Sequence, residues 1–374
     1  MAIHFEQMHI YAFKGIQNLA IPSLNHINIL TGDNNCGKTS VLEAIQLMRN
    51  PTEFSGILRV ARERDIWKGF SGSASPYDAL LNLFPKNAKD LTLGMDVIYN
   101  GKAHGLTLSG TTRHAMIDPN SSLTQRPSIA YRLHQKRDSN EMAEMDIFEG
   151  VLAYSNDGIL TKQPVSFTEQ TVLSDLRLKR TSATKIIYRP TTHYAHGSVF
   201  GKILKDDGYK SLCLFILQIF DENISDLLLL RSEDTGRAVE YIKHAQWGNM
   251  PLSTYGDGIK KVLSIASGIA DAADGVLLID EFEMAIHAQH YEQIFSFIIK
   301  ACQQMRVQLF ITTHSEEAID KMLEIQAYDA QPETDFINVI TLKKISSEKR
   351  TYARILSGRE TYANRENFGF EARL

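Results

Sequence analysis

Cysteine is scarce in this 374-residue chain, with only Cys36, Cys213 and Cys302 and no CxxC pair. That count supports neither a disulfide scaffold nor a zinc knuckle, and it fits a reducing cytoplasm. Long hydrophobic runs are missing too. The longest apolar stretch, Leu212 to Phe220, is broken by Gln218 and falls far short of the roughly 20 residues that a spanning helix needs. The N-terminus, MAIHFEQMHIYAF, lacks the basic-then-apolar order of a signal peptide. Nor is there a large charge of one sign. Forty Lys and Arg against 44 Asp and Glu leave a net charge of −4, which excludes nonspecific coating of nucleic acid through overall charge. There is no internal repeat, no low-complexity tract and no heptad run long enough for a coiled coil. The expectation is a soluble cytoplasmic protein with no membrane segment. Hydrophobic residues at 43% and charged residues at 22% supply ample material for a core.

The chain begins and ends with strong patterns. Phe5–Phe13 and Ile27–Leu30 read as strands, and Val41, Leu42, Ala44, Ile45 and Met48 recur at helical spacing. Between the second strand and that helix stands Thr31-Gly32-Asp33-Asn34-Asn35-Cys36-Gly37-Lys38-Thr39-Ser40. Gly32-x-x-x-x-Gly37-Lys38-Thr39 matches the GxxxxGK[ST] phosphate loop in its required strand–loop–helix setting. Glycines at both ends let the backbone curl and turn its N–H groups toward an anion. The helix N-terminus adds partial positive charge at the same point. Gly32, Asn34, Asn35, Gly37, Lys38, Thr39 and Ser40 are therefore expected to bind nucleotide. Lys38 is expected to reach the β- and γ-phosphates and Thr39 to supply a hydroxyl to Mg²⁺.

The middle of the chain is less patterned. Strand character appears at Leu91–Tyr99, Leu106–Leu108, Ile129–Leu133, Ile147–Tyr154, Leu227–Leu230 and Val239–Ile242, with a helix over Gly208–Phe220. Two basic clusters, Arg59/Arg62/Arg64/Lys68 and Arg177/Lys179/Arg180/Lys185, read as solvated faces, with phosphate contact as the alternative.

Pattern returns after Leu252. Ile259, Val262, Leu263, Ala266 and Ile269 mark an amphipathic helix. Val276–Ile279 and Leu309–Ile311 read as buried strands of a sheet covered on both faces, each followed by a helix. Asp280 and Glu281 close the first of these strands. Asp280 is expected to hold Mg²⁺, and Glu281 to accept a proton from the attacking water. Thr312-Thr313-His314-Ser315 follows the second, where His314 is expected to sense the γ-phosphate. Ser253-Thr254-Tyr255-Gly256-Asp257-Gly258 precedes the amphipathic helix and forms a second anion-seeking surface. Because the phosphate loop already serves its own nucleotide, this surface suits the nucleotide of another copy.

The order phosphate loop, long insertion, serine–glycine signature, Asp-Glu strand and histidine resembles ABC-type ATPase heads. "FKGI", "LTGDNNCGKTSVLEAI", "STYGDGIKKVL", "LLIDEFEMAIH" and "ITTHS" are similar to the RecF, SMC and OLD (overcoming lysogenization defect) group, OLD-type proteins above all. The resemblance implies an α/β P-loop head with a mixed or parallel core sheet, and an antiparallel β lobe and a helical lobe inserted between phosphate loop and signature. Its divisions are expected at 1–50, 51–250 and 251–374. It implies ATP and Mg²⁺ as ligands, with Ser253, Gly256 and Gly258 in the signature, Lys38, Glu281 and His314 as catalytic groups, and Thr39 and Asp280 at the metal. His287 falls at the D-loop position, and the Q-loop is unassigned, with Gln163 and Gln170 as candidates. Sixty residues follow His314, which leaves room for two strands (Phe336–Leu342 and Tyr352–Leu356) and a short helix rather than a toprim nuclease domain. The expectation is a stand-alone head that dimerises around ATP and regulates a separate effector, a nuclease or toxin, in bacterial antiphage defence. The alternative is a DNA-binding RecF-like repair ATPase. A third reading is a nuclease using His287 and His290, whose i,i+3 spacing permits shared metal ligation.

Overall fold

The computed structural model describes residues 2–68, 75–86, 90–117, 143–169, 184–191, 199–231, 236–327, 335–348, 350–368 and 371–372. The chain opens with β1 (Phe5–Phe13), β2 (Ile16–Ile21), β3 (Ile27–Gly32), α1 (Lys38–Leu47), α2 (Phe54–Lys68) and α3 (Pro76–Leu81). Four long strands follow: β4 (Leu91–Tyr99), β5 (Lys102–Ile117), β6 (Ala143–Asn156) and β7 (Ile159–Thr168). The middle continues through β8 (Ile186–Arg189), α4 (Phe200–Ile203), α5 (Asp207–Leu217), β9 (Ile224–Arg231), β10 (Ala238–His244) and β11 (Gly248–Pro251). The last stretch comprises α6 (Asp257–Asp271), β12 (Val276–Ile279), α7 (Tyr291–Gln304), β13 (Gln308–Thr312), α8 (Glu316–Ala327), β14 (Ile337–Ile345), β15 (Arg350–Ser357) and α9 (Gly358–Phe368).

These strands form three sheets. The core sheet runs β15-β14-β3-β13-β12-β8, parallel throughout except for β15, which pairs antiparallel with β14. An antiparallel sheet runs β2-β1-β4-β5-β6-β7, and a small one runs β11-β10-β9. The fold is thus mixed α/β.

Alternation along the buried strands explains the layering. In a strand successive side chains point to opposite faces. Ile27, Ile29, Leu277, Ile279, Leu309 and Ile311 face one core with α6, α7 and α8. Leu30, Val276, Leu278 and Phe310 face another, shared with α1 and the apolar side of the antiparallel sheet. Gln308, fully buried, ties the two sheets together. Its Oε1 accepts from the N–H groups of His4 (3.1 Å) and Phe5 (2.7 Å), and its Nε2 donates to the carbonyls of Phe5 (2.8 Å) and Asn25 (2.9 Å). A buried amide with all four bonds made stabilises the junction, where an unmet one would cost about 1–3 kcal/mol.

The expected strands at Phe5–Phe13, Leu91–Tyr99 and Val276–Ile279 have those bounds in the structure. β5 extends far beyond the expected Leu106–Leu108, and β2, β7, β8, β11, α2 and α3 were not expected. β7 is exposed over its first six residues, so it carries no alternating pattern, and β8 has only four residues. The strand expected at Ile129–Leu133 lies outside the described residues. All three cysteines are buried free thiols, and burial pushes Cys213 and Cys302 up to about 12. No helix among the described residues is long and apolar enough to cross a membrane.

Candidate nucleotide site at the carboxyl edge of the core sheet

Register brings the site together. Leu30 of β3 lies beside Thr312 of β13, Ile311 beside Ile279 of β12, and Ile279 beside Arg189 of β8. The segments that leave these parallel strands therefore emerge at one edge, where open α/β sheets bind their ligands.

At that edge the phosphate loop curls as its glycines require. Gly32 has φ +126° and Gly37 φ +111°, and a Cβ on Gly32 would stand 2.3 Å from the carbonyl oxygen of Leu342. Asn35 also adopts a left-handed conformation, φ 63°. Gly37 caps α1 without a side-chain bond, and the first turn carries no acidic residue. The helix N-terminus is thus left for an anion. Lys38 is buried, and its Nζ donates to the carbonyl oxygens of Gly32 (2.8 Å) and Asp33 (2.9 Å). Burial pushes its ammonium below the usual lysine range, while Cys36, Asp280 and Asp33 oppose that shift. Asp33, Asn34 and Asn35 are exposed, and Thr39 and Ser40 are half-buried.

The acidic strand end faces the loop. Thr39 Oγ1 donates to the Asp280 carboxylate, 3.0 Å from Oδ1 and 3.1 Å from Oδ2. Thr312 Oγ1 donates to Asp280 Oδ1 at 2.7 Å, and Thr191 Oγ1 to Oδ2 at 3.3 Å. Glu281 turns into the left-handed region, φ 46°, and its N–H donates to Thr312 Oγ1 at 2.8 Å. Its backbone thereby departs from the extended conformation of the strand before it. The His314 N–H donates to Glu283 Oε1 at 3.1 Å, which places the backbone of the expected sensor beside the same turn.

The arrangement fits a nucleotide with a divalent cation. Lysine, an open helix N-terminus and a hydroxyl–carboxylate pair converge on the loop, and only glycine can adopt the Gly32 backbone without a clash. Sequence reasoning missed Thr191 and Glu283, and it gave Thr312 no role of its own. A hydroxyl residue just past a buried strand was the one signal for Thr312.

The signature segment stands apart in its packing. Leu252–Thr254 forms a 3-10 turn, and Gly256 caps α6. α6 packs on the opposite face of the core sheet from α1. Ser253, Thr254, Gly256 and Asp257 are exposed, while a Cβ on Gly258 would come within 3.2 Å of Ala285 O and Phe220. The Thr254 hydroxyl donates to the Pro251 carbonyl at 2.7 Å.

His287 caps a 3-10 turn through its Nδ1, which accepts from Gln289 N–H at 3.3 Å, and His290 packs against Phe220. Among the described residues no group of three or more His, Cys, Asp or Glu is placed to hold a metal ion. Arg59 and Arg62 are half-buried on α2. Gln163 is exposed on β7, whereas Gln170, Arg177, Lys179 and Arg180 lie outside the described residues.

A family model described as "AAA domain, putative AbiEii toxin, Type IV TA system" matches residues 27–320. The chain belongs to this family. This AAA-domain chain is 23% identical over 332 residues to an "ATP/GTP phosphatase" of Helicobacter pylori, covering 84% of this chain and 86% of that one. It is 38% identical over 109 residues to an uncharacterized protein of Methanocaldococcus jannaschii, 29% of this chain and 48% of the relative. That match spans about half of the archaeal protein's length. A stretch of 57 residues is 39% identical to the DNA replication and repair protein RecF of Xanthomonas oryzae pv. oryzae, covering 15% of this chain and 16% of RecF. Among solved structures, an Smc head bound to the C-winged helix domain of ScpA aligns with TM-score 0.48 at 13% identity, over 95% of this chain and 98% of that one.

Proposed function

We propose that the protein is a Mg²⁺-dependent ATPase whose copies close head to head around two ATP molecules. The observation that carries this reading is the contact of Thr39 with Asp280 directly beside the Lys38 loop. Gly32, Asn34, Asn35, Gly37, Lys38, Thr39 and Ser40 would cradle the triphosphate. Thr39 and Asp280 would hold the metal, which when bound neutralises charge on the β- and γ-phosphates. Lys38 would leave the loop carbonyls for phosphate oxygens. Glu281 would take the proton of the attacking water, and His314 would face the γ-phosphate.

The pocket is completed from the other copy. Ser253, Gly256 and Gly258 head a helix whose N-terminus offers unmet N–H groups. With the Thr254 hydroxyl turned onto its own backbone, Ser253 is the hydroxyl for the opposite γ-phosphate. Hydrolysis, or the ATP-bound shape itself, then regulates a separate effector, a nuclease or toxin, in cytoplasmic antiphage defence. The toxin–antitoxin wording of the family description and the OLD-type motifs support that role, and the ATP/GTP phosphatase relative supports hydrolysis.

The experiment is phosphate release by purified wild type and Glu281→Gln, with Mg²⁺ and with EDTA, beside light scattering in ATP. Wild type is expected to hydrolyse ATP only with Mg²⁺. Glu281→Gln should lose about 10²- to 10⁴-fold in rate, the range of a general base, and accumulate as an ATP-bound dimer. Unaltered hydrolysis in the variant would remove Glu281 as the base. Co-purification from the native host tests for the effector. The RecF stretch favours DNA binding as the second reading, which requires ATP-dependent affinity that falls steeply with salt.

A further inference from the structure

Two lysines follow one another on α6, and the fold buries the second more deeply than the first. Lys260 is half-buried, its Nζ 3.7 Å from Asp257. Lys261 is 5% exposed, and its Nζ donates to the backbone carbonyl of Glu281 at 3.3 Å. Burial presses on its charge, while Glu283, Asp280 and Glu281 act through space to sustain it. Sinking an ammonium costs several kcal/mol before pairing, so a buried ionic contact is weak evidence of a stabilising role.

The position of Lys261 gives it another use. Glu281 is held at both ends of its backbone, its N–H by Thr312 Oγ1 and its C=O by Lys261 Nζ. Between these two bonds the backbone is left-handed, φ 46°. Glu283, the leading charged partner of Lys261, holds the His314 N–H through Oε1. Its other oxygen, Oε2, is buried and meets no hydrogen-bond partner among the described residues. Buried polar atoms in that condition are uncommon and call for an explanation.

We propose that Lys261 and Glu283 are positioning residues that carry the placement of the signature loop to the hydrolytic edge of the same chain. The inference rests on the head-to-head reading, in which the start of α6 meets the partner's nucleotide. Lys261 is the fifth residue of that helix. A shift of α6 on closure moves its ammonium against the Glu281 carbonyl and sets the angle of the Glu281 side chain. The open Glu283 Oε2 offers that ammonium a second acceptor, and through Oε1 the same carboxylate reaches the His314 backbone. Each pocket thus reports to the other through one lysine.

The test uses full-length wild type, Lys261→Met, Lys261→Arg, Glu283→Gln and the double variant Lys261→Met/Glu283→Gln. Affinity for a fluorescent ATP analogue, kcat and thermal midpoint are measured for each. Lys261→Met is expected to keep nucleotide affinity within about two-fold while kcat falls about 10- to 100-fold, the split expected of lost positioning. Lys261→Arg should restore most of the rate, since it keeps the donor. The double variant removes both partners of this charge pair, so its thermal midpoint should recover while its rate stays low. Recovery of rate together with stability would show a merely structural pair and overturn the inference, as would a wild-type rate in Lys261→Met. If wild type neither hydrolyses ATP nor pairs in its presence, the ATPase reading falls and this link falls with it.

Discussion

Thr39 and Asp280 stand 241 positions apart in the chain and meet through a hydroxyl–carboxylate hydrogen bond of 3.0 Å. One belongs to the first turn of α1 and the other directly follows β12, and β13 lies between β3 and β12 in the sheet. The contact therefore reports the register of β3, β13 and β12. It also sets two oxygens where one hard cation takes oxygen ligands.

Asp280→Asn tests that use. An asparagine oxygen still accepts from Thr39 and Thr312, so the edge keeps its shape, but the negative charge is gone. Mg²⁺-dependent phosphate release is expected to fall at least about 100-fold, in line with the loss of a charge-stabilising group, with little change in thermal midpoint. Unchanged activity across a Mg²⁺ titration would take Asp280 out of the metal site.

Thr312→Val probes the second hold on the same edge. Valine fills the volume but loses the hydroxyl that donates to Asp280 at 2.7 Å and accepts from Glu281 N–H at 2.8 Å. The orphaned N–H should cost about 1–3 kcal/mol of stability. Because Glu281 depends on that bond for its left-handed backbone, kcat should fall with little change in nucleotide affinity. Urea unfolding and steady-state kinetics separate the two effects. A variant that loses stability and keeps kcat would show that Thr312 does not aim Glu281.

Much of this edge is legible in one dimension because its residues are local. The phosphate loop packs its glycines, lysine and threonine into eight positions, and Asp280 and Glu281 stand directly after four consecutive apolar residues. β12 and β13 show for the same reason, since strands buried on both faces carry unbroken apolar runs. Thr191 does not show, because it follows a four-residue strand whose last side chain is Arg189, and only the sheet brings it to Asp280. Lys261 is hidden in another way. Nothing in the sequence separates it from Lys260, and the packing of α6 alone decides that one is sunk and the other only half-buried. The antiparallel sheet is half-legible, its β4 alternating clearly and its β7 exposed along most of its length.

Gly32→Ala addresses the backbone of the loop. Gly32 pairs with Leu342 of β14, and its φ of +126° puts a new Cβ 2.3 Å from the Leu342 carbonyl oxygen. A backbone neighbour in a buried strand cannot step aside as a flexible side chain can. Left-handed strain adds to the clash, for a total cost on the order of 3 kcal/mol. Urea unfolding should show that loss, with weakened nucleotide binding in whatever remains folded. A fully stable, ATP-binding variant would mean that the loop takes another path.

The composite pocket can be tested by mixing two inactive proteins. Lys38→Met removes the cation of the phosphate loop, and Gly256→Arg blocks the start of α6. The second substitution is tolerable in the fold, because a Cβ at Gly256 meets nothing within 4 Å and the backbone there is ordinary, φ −65°. In a two-fold symmetric dimer each pocket takes one phosphate loop and one signature. A mixed dimer then carries one doubly damaged pocket and one intact pocket. Random pairing of equal amounts makes half the dimers mixed, so about a quarter of the wild-type pockets return. Phosphate release from the mixture should rise toward that fraction while each variant alone stays near background. Activity no greater than the average of the two parents, with mixed dimers demonstrated by differently tagged chains, would show that no pocket is shared. Full activity in Gly256→Arg alone would remove the signature from the site.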